Sequence, residues 1–360
     1  MNILFLGEPQ SPNTISWVEG LRALGCVVTI ASARSDGRDG AYPIGPVSFP
    51  PRLRVLMGTA DIKKLIKKFK PDILIAYRVT SYGYLAARTG FHPLVLAAQN
   101  ENIAFHPTHS NLRGKLLSYF AKYAISRADL IHSWSVNVSK GLKRFDASDE
   151  QILQLHRGIN TSVFEAPENW DFQKTHIKLI STRALYPQYR IGDLIKAFSV
   201  FNSKYEDSSL VITGDGPMKQ DLVELSKKLE LLGKVIFTGR VSPEKVAKEL
   251  KDADIYVSLI ETEGLSSSLL EACSCGVFPI VADIPASRCL IEPGKNGMLL
   301  SNTSPAELAK ALCSLIEKRE LLKSGASFNA MLISEKFDRE KNLGKFVERY
   351  SSLIEKYKQI

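Results

Sequence analysis

"IYVSLIETEGLSSSLLEACSCGVFPIVA", residues 255 to 282, holds two apolar runs of strand length separated by a turn and a short helical stretch. "IYVSLI" shows no polar alternation, so it reads as a strand covered on both faces. "ETEG" is the turn leaving its carboxyl end, "SSSLLEACSCG" a short helix stopped by Gly276, and "FPIVA" the next strand. Strand, crossover helix and strand make the repeating unit of a parallel sheet.

The alternation extends outward in two series. "NILFLG", "DILIAY", "LVLAAQ" and "LIHSWS" are each followed by helical stretches, at 11–25, 80–90, 111–128 and 135–145. "KLISTR", "SLVITG", "VIFTG", "IYVSLI" and "FPIVA" restart the pattern, with helices at 190–206, 217–231, 242–252, 266–275 and 304–318. An α/β protein of two doubly wound domains is expected, and 360 residues exceed the size at which one core usually splits. "LHRGINTSVFEAPENWDFQKT", with Gly158 and Pro167, places the hinge near 158–175. The expected domains are 1–160 and 170–336. A last helix over about 337–357 carries Phe346, Tyr350, Leu353 and Tyr357 on one face and is expected to pack back on the first domain. Ligands of open parallel sheets bind beyond the carboxyl ends of the strands, so the expected site is a cleft between the domains, lined from both.

Composition narrows the class. With 44% hydrophobic and 24% charged residues the chain is an ordinary globular one. No run reaches the roughly 18 apolar residues of a membrane span, and "MNILFLGEPQ" lacks a basic leader and cleavage site, so a cytoplasmic protein is expected. Five cysteines (Cys26, Cys273, Cys275, Cys289, Cys313) without CxxC spacing argue against a disulfide framework or zinc site. Residues 1 to 150 hold 19 Lys/Arg against 11 Asp/Glu, whereas 151 to 360 hold 28 against 27. The basic first half points to an anionic partner: a phosphorylated substrate, an acidic membrane surface or nucleic acid. No recognition helix, zinc spacing or aromatic-basic signature supports nucleic acid, and that partner is not expected.

Glu263 and Glu271 flank the turn and helix start of the opening stretch. The free N–H groups of a helix N-terminus favour a phosphate. Carboxylates on either side of a phosphate suit the hydroxyls attached to it, those of a ribose or a sugar ring. A purely structural alternative stands beside this: "SLLE" spells a capping box, with Ser268 as N-cap and Glu271 reaching back.

The stretch "ETEGLSSSLLEACSCGVFPIVADIPASRCLIEPGKNGMLL" resembles the donor-binding segment of retaining glycosyltransferases of the GT-B fold, in particular glycosyltransferase family 4 (glycosyl transferases group 1). Paired glutamates, a small-residue stretch after the second and a closing Asn-Gly recur there in this order. "NILFLGEPQSPNT", "LHRGINTSVF", "LVITGDGP" and "VIFTGRVSPEKV" extend the likeness along most of the chain. The resemblance implies two Rossmann-like domains and sugar transfer from a nucleotide diphosphate sugar, with retention, to a hydroxyl of a glycan or lipid-linked acceptor. It implies that Glu271 holds the ribose, Glu263 meets the transferred sugar, and the N–H groups of Leu265 and Ser266, beside Gly264, meet the diphosphate. It places Gly239, Arg240 and Val241 beside the base and Gly216 at the edge of the donor site. Arg183 matches the diphosphate-binding arginine, a role that suits a planar fork of permanent charge.

There are departures. A lysine normally follows that arginine by about five positions; here Gln188 stands there and Arg190 is the next cation, carried as the candidate in its stead. Cys289 occupies the place of a usual glutamate. The family's Trp/His-Gly-x-Asp element is replaced by "QNENI", so Gln99, Asn100 and Glu101, with Asn13 and His106, are the acceptor-side candidates. No metal ligand or further cofactor is assigned: Asp252-Ala253-Asp254 spells a metal-binding motif of another class, but falls between a helix end and a strand. The expected protein is a cytoplasmic, membrane-peripheral glycosyltransferase, with Leu116, Phe120 and Tyr123 on one face of a helix over 112–127 that could meet an anionic leaflet. A GT-B epimerase acting on UDP-sugars is the rival enzyme, and a basic nucleic-acid binder the non-enzymatic one.

Overall fold

A computed structural model describes residues 1–98, 112–168 and 175–359. The chain divides into two units, Met1–Arg157 with Arg339–Ile360, and Gly158–Asp338.

The first unit opens with β1 (Asn2–Leu6), α1 (Pro12–Ala23), β2 (Val27–Ser32), β3 (Tyr42–Pro43), α2 (Pro51–Met57), α3 (Thr59–Phe69) and β4 (Ile73–Tyr77). A π-helix, Arg78–Gly83, leads into α4 (Tyr84–Ala87), followed by β5 (Leu94–Ala98), α5 (Leu112–Ile125), β6 (Leu130–Ser133), α6 (Val136–Lys143) and β7 (Ile152–Gln154). The seven strands lie in the order β3-β2-β1-β4-β5-β6-β7, and every pairing is parallel. β4 and β5 are buried along their whole length, because helices cover both faces of the sheet.

The second unit runs β8 (Ile177–Ser181), a 3-10 turn (Pro187–Tyr189), α7 (Ile191–Lys204), β9 (Ser208–Thr213), α8 (Lys219–Lys228), β10 (Val235–Gly239), α9 (Pro243–Lys251) and β11 (Ile255–Ser258). It continues through α10 (Ser267–Ser274), β12 (Phe278–Ala282), α11 (Pro285–Arg288), β13 (Met298–Leu300), α12 (Pro305–Ile316) and α13 (Glu320–Lys336). Its parallel sheet has the order β10-β9-β8-β11-β12-β13. Each sheet reverses direction of winding once, between β1 and β4 in the first and between β8 and β11 in the second. Such switch points leave a crevice at the carboxyl ends of the two central strands.

The last helix, α14 (Arg339–Lys358), belongs to the first unit. Its Leu343, Phe346, Tyr350 and Ile354 join Ile3, Phe5, Trp17 and Leu21 in one apolar cluster. The Tyr350 hydroxyl meets His132 Nε2 at 2.6 Å. Burial drives the His132 pKa down to about 3, so the ring is neutral. Phe337 and Asp338 stay with the second unit, where the Phe337 carbonyl accepts from Ile159 N at 2.9 Å.

Two local readings are corrected. The capping box does not form: α10 begins one residue before Ser268, with Ser266 at its N-cap, and Ser268 Oγ donates instead to the Thr182 carbonyl at 3.2 Å. On α5 the buried side is Gly114, Ala121, Ala124 and Ile125, while the Phe120 ring stacks on Tyr84 at 4.1 Å. The solvent-facing apolar row is therefore Leu112, Leu116 and Tyr119, not Leu116, Phe120 and Tyr123. Asp254 precedes β11, at the strand end opposite its turn, and its carboxylate accepts from Lys178 N at 2.8 Å, which pins β11 to β8. Among the described residues no helix is long and apolar enough to cross a membrane, and no cluster of three His, Cys, Asp or Glu is arranged to hold a metal.

Candidate functional site

The switch point of the second sheet gathers the predicted donor-side residues. Arg183 follows β8 by two residues and is only 5% exposed. Its NH1 donates to Ser266 Oγ and its NH2 to a Glu263 carboxylate oxygen, so one guanidinium spans from β8 to the turn after β11. The Tyr189 ring lies 4.5 Å beneath the guanidinium carbon. Burial alone would lower the Arg183 pKa, but Tyr256 and Glu263 outweigh it and the group is held charged. Burial raises the Glu263 carboxyl above its ordinary range against the opposing pull of Arg183. Burial also pushes the Tyr256 hydroxyl up to about 12; Arg183 opposes this, while Glu263 and Glu271 reinforce it. Arg183, Glu263 and Glu271 thus all lie within electrostatic reach of one buried tyrosine.

Ser266 shows why the helix start stays open. An N-cap serine ordinarily folds its hydroxyl over the first-turn N–H groups. Here that hydroxyl is taken by Arg183, and α10 has no side-chain cap. The first-turn N–H groups, which have no intrahelical acceptor, are left for an anion.

A cavity of about 750 Å³ opens beside Arg183, lined also by Tyr186, Asp215, Gly216 and Arg240. Two glycines shape its wall. A Cβ on Gly214 would lie 2.2 Å from the Arg183 carbonyl oxygen, and one on Gly216 2.5 Å from that of Leu185. Only glycine lets the turn after β9 press against the backbone that carries Arg183. Gly239 ends β10 with φ of 70° and accepts from Gly214 N at 3.1 Å, which brings the Gly239-Arg240-Val241 turn to the same edge. The hydroxyls of Ser181, Thr182 and Thr213 and the Arg183 Nε are buried here without a hydrogen-bond partner. Such groups mark a polar surface that a bound ligand or water would complete.

Arg190 is engaged elsewhere. It sits in the left-handed region, with φ of 53°, at the N-cap of α7. Its guanidinium bonds Asp193 at 2.9 Å and reaches Glu261 and Thr303. It holds the first residue of the turn on which Glu263 and Ser266 lie. Gly264 and Leu265 complete that turn, and Leu265 packs on the apolar cluster beneath. Cys289 is exposed, with its Sγ 3.2 Å from the Pro285 carbonyl. The closing Asn296-Gly297 is structural: Asn296 is fully buried and its amide spans Leu290 O and Asn329 Oδ1 at 3.0 and 2.9 Å. Sequence alone does not single out Tyr189 or Tyr256; their use depends on which rings the fold lays against Arg183.

On the first unit, Asn13 is bound twice by Arg157, through its carbonyl at 2.7 Å and its Oδ1 at 3.3 Å. Gln99, Asn100, Glu101 and His106 lie outside the described residues.

Comparison with known proteins shows the family and the fold. The family described as glycosyl transferases group 1 matches residues 162–330, and that described as glycosyl transferase 4-like matches 2–135. An uncharacterised glycosyltransferase of Haemophilus influenzae is 32% identical over 288 residues, covering 79% of this chain and 77% of its own. Another, from Methanocaldococcus jannaschii, is 28% identical over 290 residues, 76% of this chain and 72% of its own. Among solved structures, HepE of Anabaena in complex with UDP superposes with a TM-score of 0.77 at 19% identity, over 98% of this chain and 100% of that one. With both halves matched by the family and a relative above 30% identity across most of its length, the chain belongs to the group 1, type 4-like glycosyltransferases and is a sugar-transferring enzyme of the GT-B fold.

Proposed function

We propose that this enzyme moves a sugar, with retention, from a nucleoside diphosphate sugar bound by residues 170–336 to a hydroxyl of a glycan or lipid-linked acceptor bound by residues 1–160. The observation that carries the donor side is the buried Arg183, shared between Glu263 and Ser266 at the β8/β11 switch point. The volume beside it is within the range of small-ligand sites, roughly 300 to 1,000 Å³. HepE, similar in fold, has been solved with UDP-glucose and with UDP and glucose.

Bond cleavage at the anomeric carbon leaves charge on the departing diphosphate. Arg183 and the uncapped N–H groups of α10 are fixed where that charge develops, and their orientation is set before the reaction begins. Glu271 takes the ribose hydroxyls and Glu263 the transferred sugar, with Gly239, Arg240, Val241 and Gly216 beside the base and Gly264 and Leu265 in the phosphate turn. Arg190, through Glu261, acts by holding this turn and not by meeting phosphate.

The acceptor is read as lying at a membrane surface on the cytoplasmic side. The favouring observation is the row Leu112, Leu116 and Tyr119, exposed by 85%, 49% and 58%, on a helix that also presents Arg113 and Lys115 to solvent.

A screen of nucleotide sugars for thermal stabilisation, followed by turnover with and without candidate acceptors, tests the reading. Donor-specific stabilisation and acceptor-dependent UDP release are expected. Release of a rearranged sugar without any acceptor would establish the epimerase instead.

A further inference from the structure

The first sheet has a switch point of its own, and its chemistry parallels that of the second. In the second unit an arginine after one central strand meets a glutamate after the other. In the first, Glu8 follows β1 and Arg78 follows β4. The register that pairs Leu6 with Ala76, continued by two residues, brings them side by side, and Arg78 NH1 donates to Glu8 Oε1 at 3.0 Å. Arg34, beyond the end of β2, lies 3.3 Å from the same oxygen. Three strand ends thus deliver two cations and one carboxylate to one crevice, with a third cation, Arg157, held behind Asn13.

The backbone there is unusual. Arg78 is a non-glycine residue at φ of 74°, and it starts a six-residue π-helix, a rare element that recurs at functional sites. Ser81, on that π-helix, has a buried hydroxyl without a partner. Thr14 is fully buried and likewise unpartnered; its Oγ1 lies 3.3 Å from where a Gly7 Cβ would stand, at the end of β1. Burial pushes the Tyr77 hydroxyl up to about 12 against the opposing effect of a hydrogen bond with the Asn13 side chain, so it stays protonated. Two buried hydroxyls without partners, on the segments that carry these half-exposed arginines and the one carboxylate they share, leave polar groups that a ligand or water would complete.

We propose that the β1/β4 crevice is a ligand site for a hydroxylated anion, in which Arg34 and Arg78 grip an acidic oxygen group, phosphate or carboxylate, in exchange for Glu8. The inference rests on the glycosyl-transfer reading in one respect: it makes this ligand the acceptor and gives that acceptor an acidic group. The arginine forks suit either anion bidentately. Glu8, once released, is free to accept from ligand hydroxyls.

The test uses the full chain with saturating UDP, which occupies the donor side. D-gluconate, inorganic phosphate and, as the uncharged match to gluconate, sorbitol are titrated by calorimetry, and hydrogen exchange locates protection. At least one anion should bind and protect residues 7–14 and 77–83, while sorbitol should not. Phosphate alone would indicate a phosphorylated acceptor, gluconate alone a carboxylate. Arg34→Gln with Arg78→Asn should weaken anion binding at least tenfold; asparagine tolerates the left-handed backbone, and unchanged hydrogen exchange over β1, β4 and β5 would show that the first unit of the variant is folded. Binding of neither anion to a UDP-competent protein, equal binding of sorbitol, or undiminished anion binding in the double variant would overturn the site. Failure of UDP itself to bind would strike the donor reading, and the anion titrations would still decide this one.

Discussion

Replacing Arg183 by glutamine probes stability and function through separate channels. Arg183 and the Glu263 side chain are 5% and 22% exposed. Removing one partner of such a pair costs about 3 to 5 kcal/mol, because the other charge stays desolvated. Glu263 has an escape, since it can take up a proton. From its ordinary value of 4.5 to pH 7, that uptake costs about 3.4 kcal/mol at 1.36 kcal/mol per pH unit, which caps the penalty. At pH 5 the cap falls to about 0.7 kcal/mol. Loss of the contact with the Tyr189 ring adds about 1 kcal/mol at either pH. Arg183→Gln should therefore destabilise the second unit by roughly 4 kcal/mol at pH 7 and under 2 at pH 5. Urea unfolding with hydrogen exchange read over residues 158–338 measures this. UDP affinity should drop by about 1.5 to 3 kcal/mol, the range for a charged hydrogen bond. Adding Glu263→Gln should abolish the pH dependence and restore most of the stability, but not the affinity. Equal destabilisation at both pH values, or affinity restored in the double variant, would refute the coupling of these two groups and the phosphate role built on it.

Three further outcomes are expected. Glu271→Gln should weaken UDP binding by about 1 to 3 kcal/mol with α10 intact, since no capping box exists for it to break; calorimetry with circular dichroism would expose a purely structural role. His132 is neutral when folded, with its pKa near 3 against an ordinary 6.5, so the unfolded chain binds the extra proton. Stability of the first unit should be full above about pH 6.5 and be lost towards pH 3, by up to about 1.4 kcal/mol per pH unit, with a shallower slope in His132→Asn. The protein should co-sediment with anionic but not neutral liposomes and release as salt is raised, and Leu116→Glu should abolish the binding; equal partition to both vesicle types would leave a soluble acceptor.

The parts of the fold legible in the sequence are those whose burial is written in large apolar residues. "DILIAY" and "IYVSLI" are continuous runs because both faces of their strands are covered. β2, "VVTIAS", is harder to see, because Val27 is exposed and the strand has a mixed burial pattern. α13 escapes an apolar-periodicity reading because its buried face includes Gly325, Ala326 and Asn329 as well as Leu322 and Ile333. Residue identity also underdetermined the site. Arginine at 183 and glutamate at 263 are found joined, yet nothing local says that Arg190 would turn to Asp193, Glu261 and Thr303. "SLLE" has the spacing of a cap, but a long-range bond from Arg183 to Ser266 decides where the helix starts. Spacing reports local competition, and the long-range bonds in these outcomes join residues 71 to 113 positions apart.

The return of α14 to the first unit bears on how the protein is made. A growing chain emerges from its N-terminus, yet the first unit cannot close until Phe346 and Tyr350 have been synthesised. The second unit, continuous from Gly158 to Asp338, is complete as a sequence before that point. The unit begun first is thus the one finished last, and until then its half-built face, with Trp17 and His132, waits without the helix that covers it.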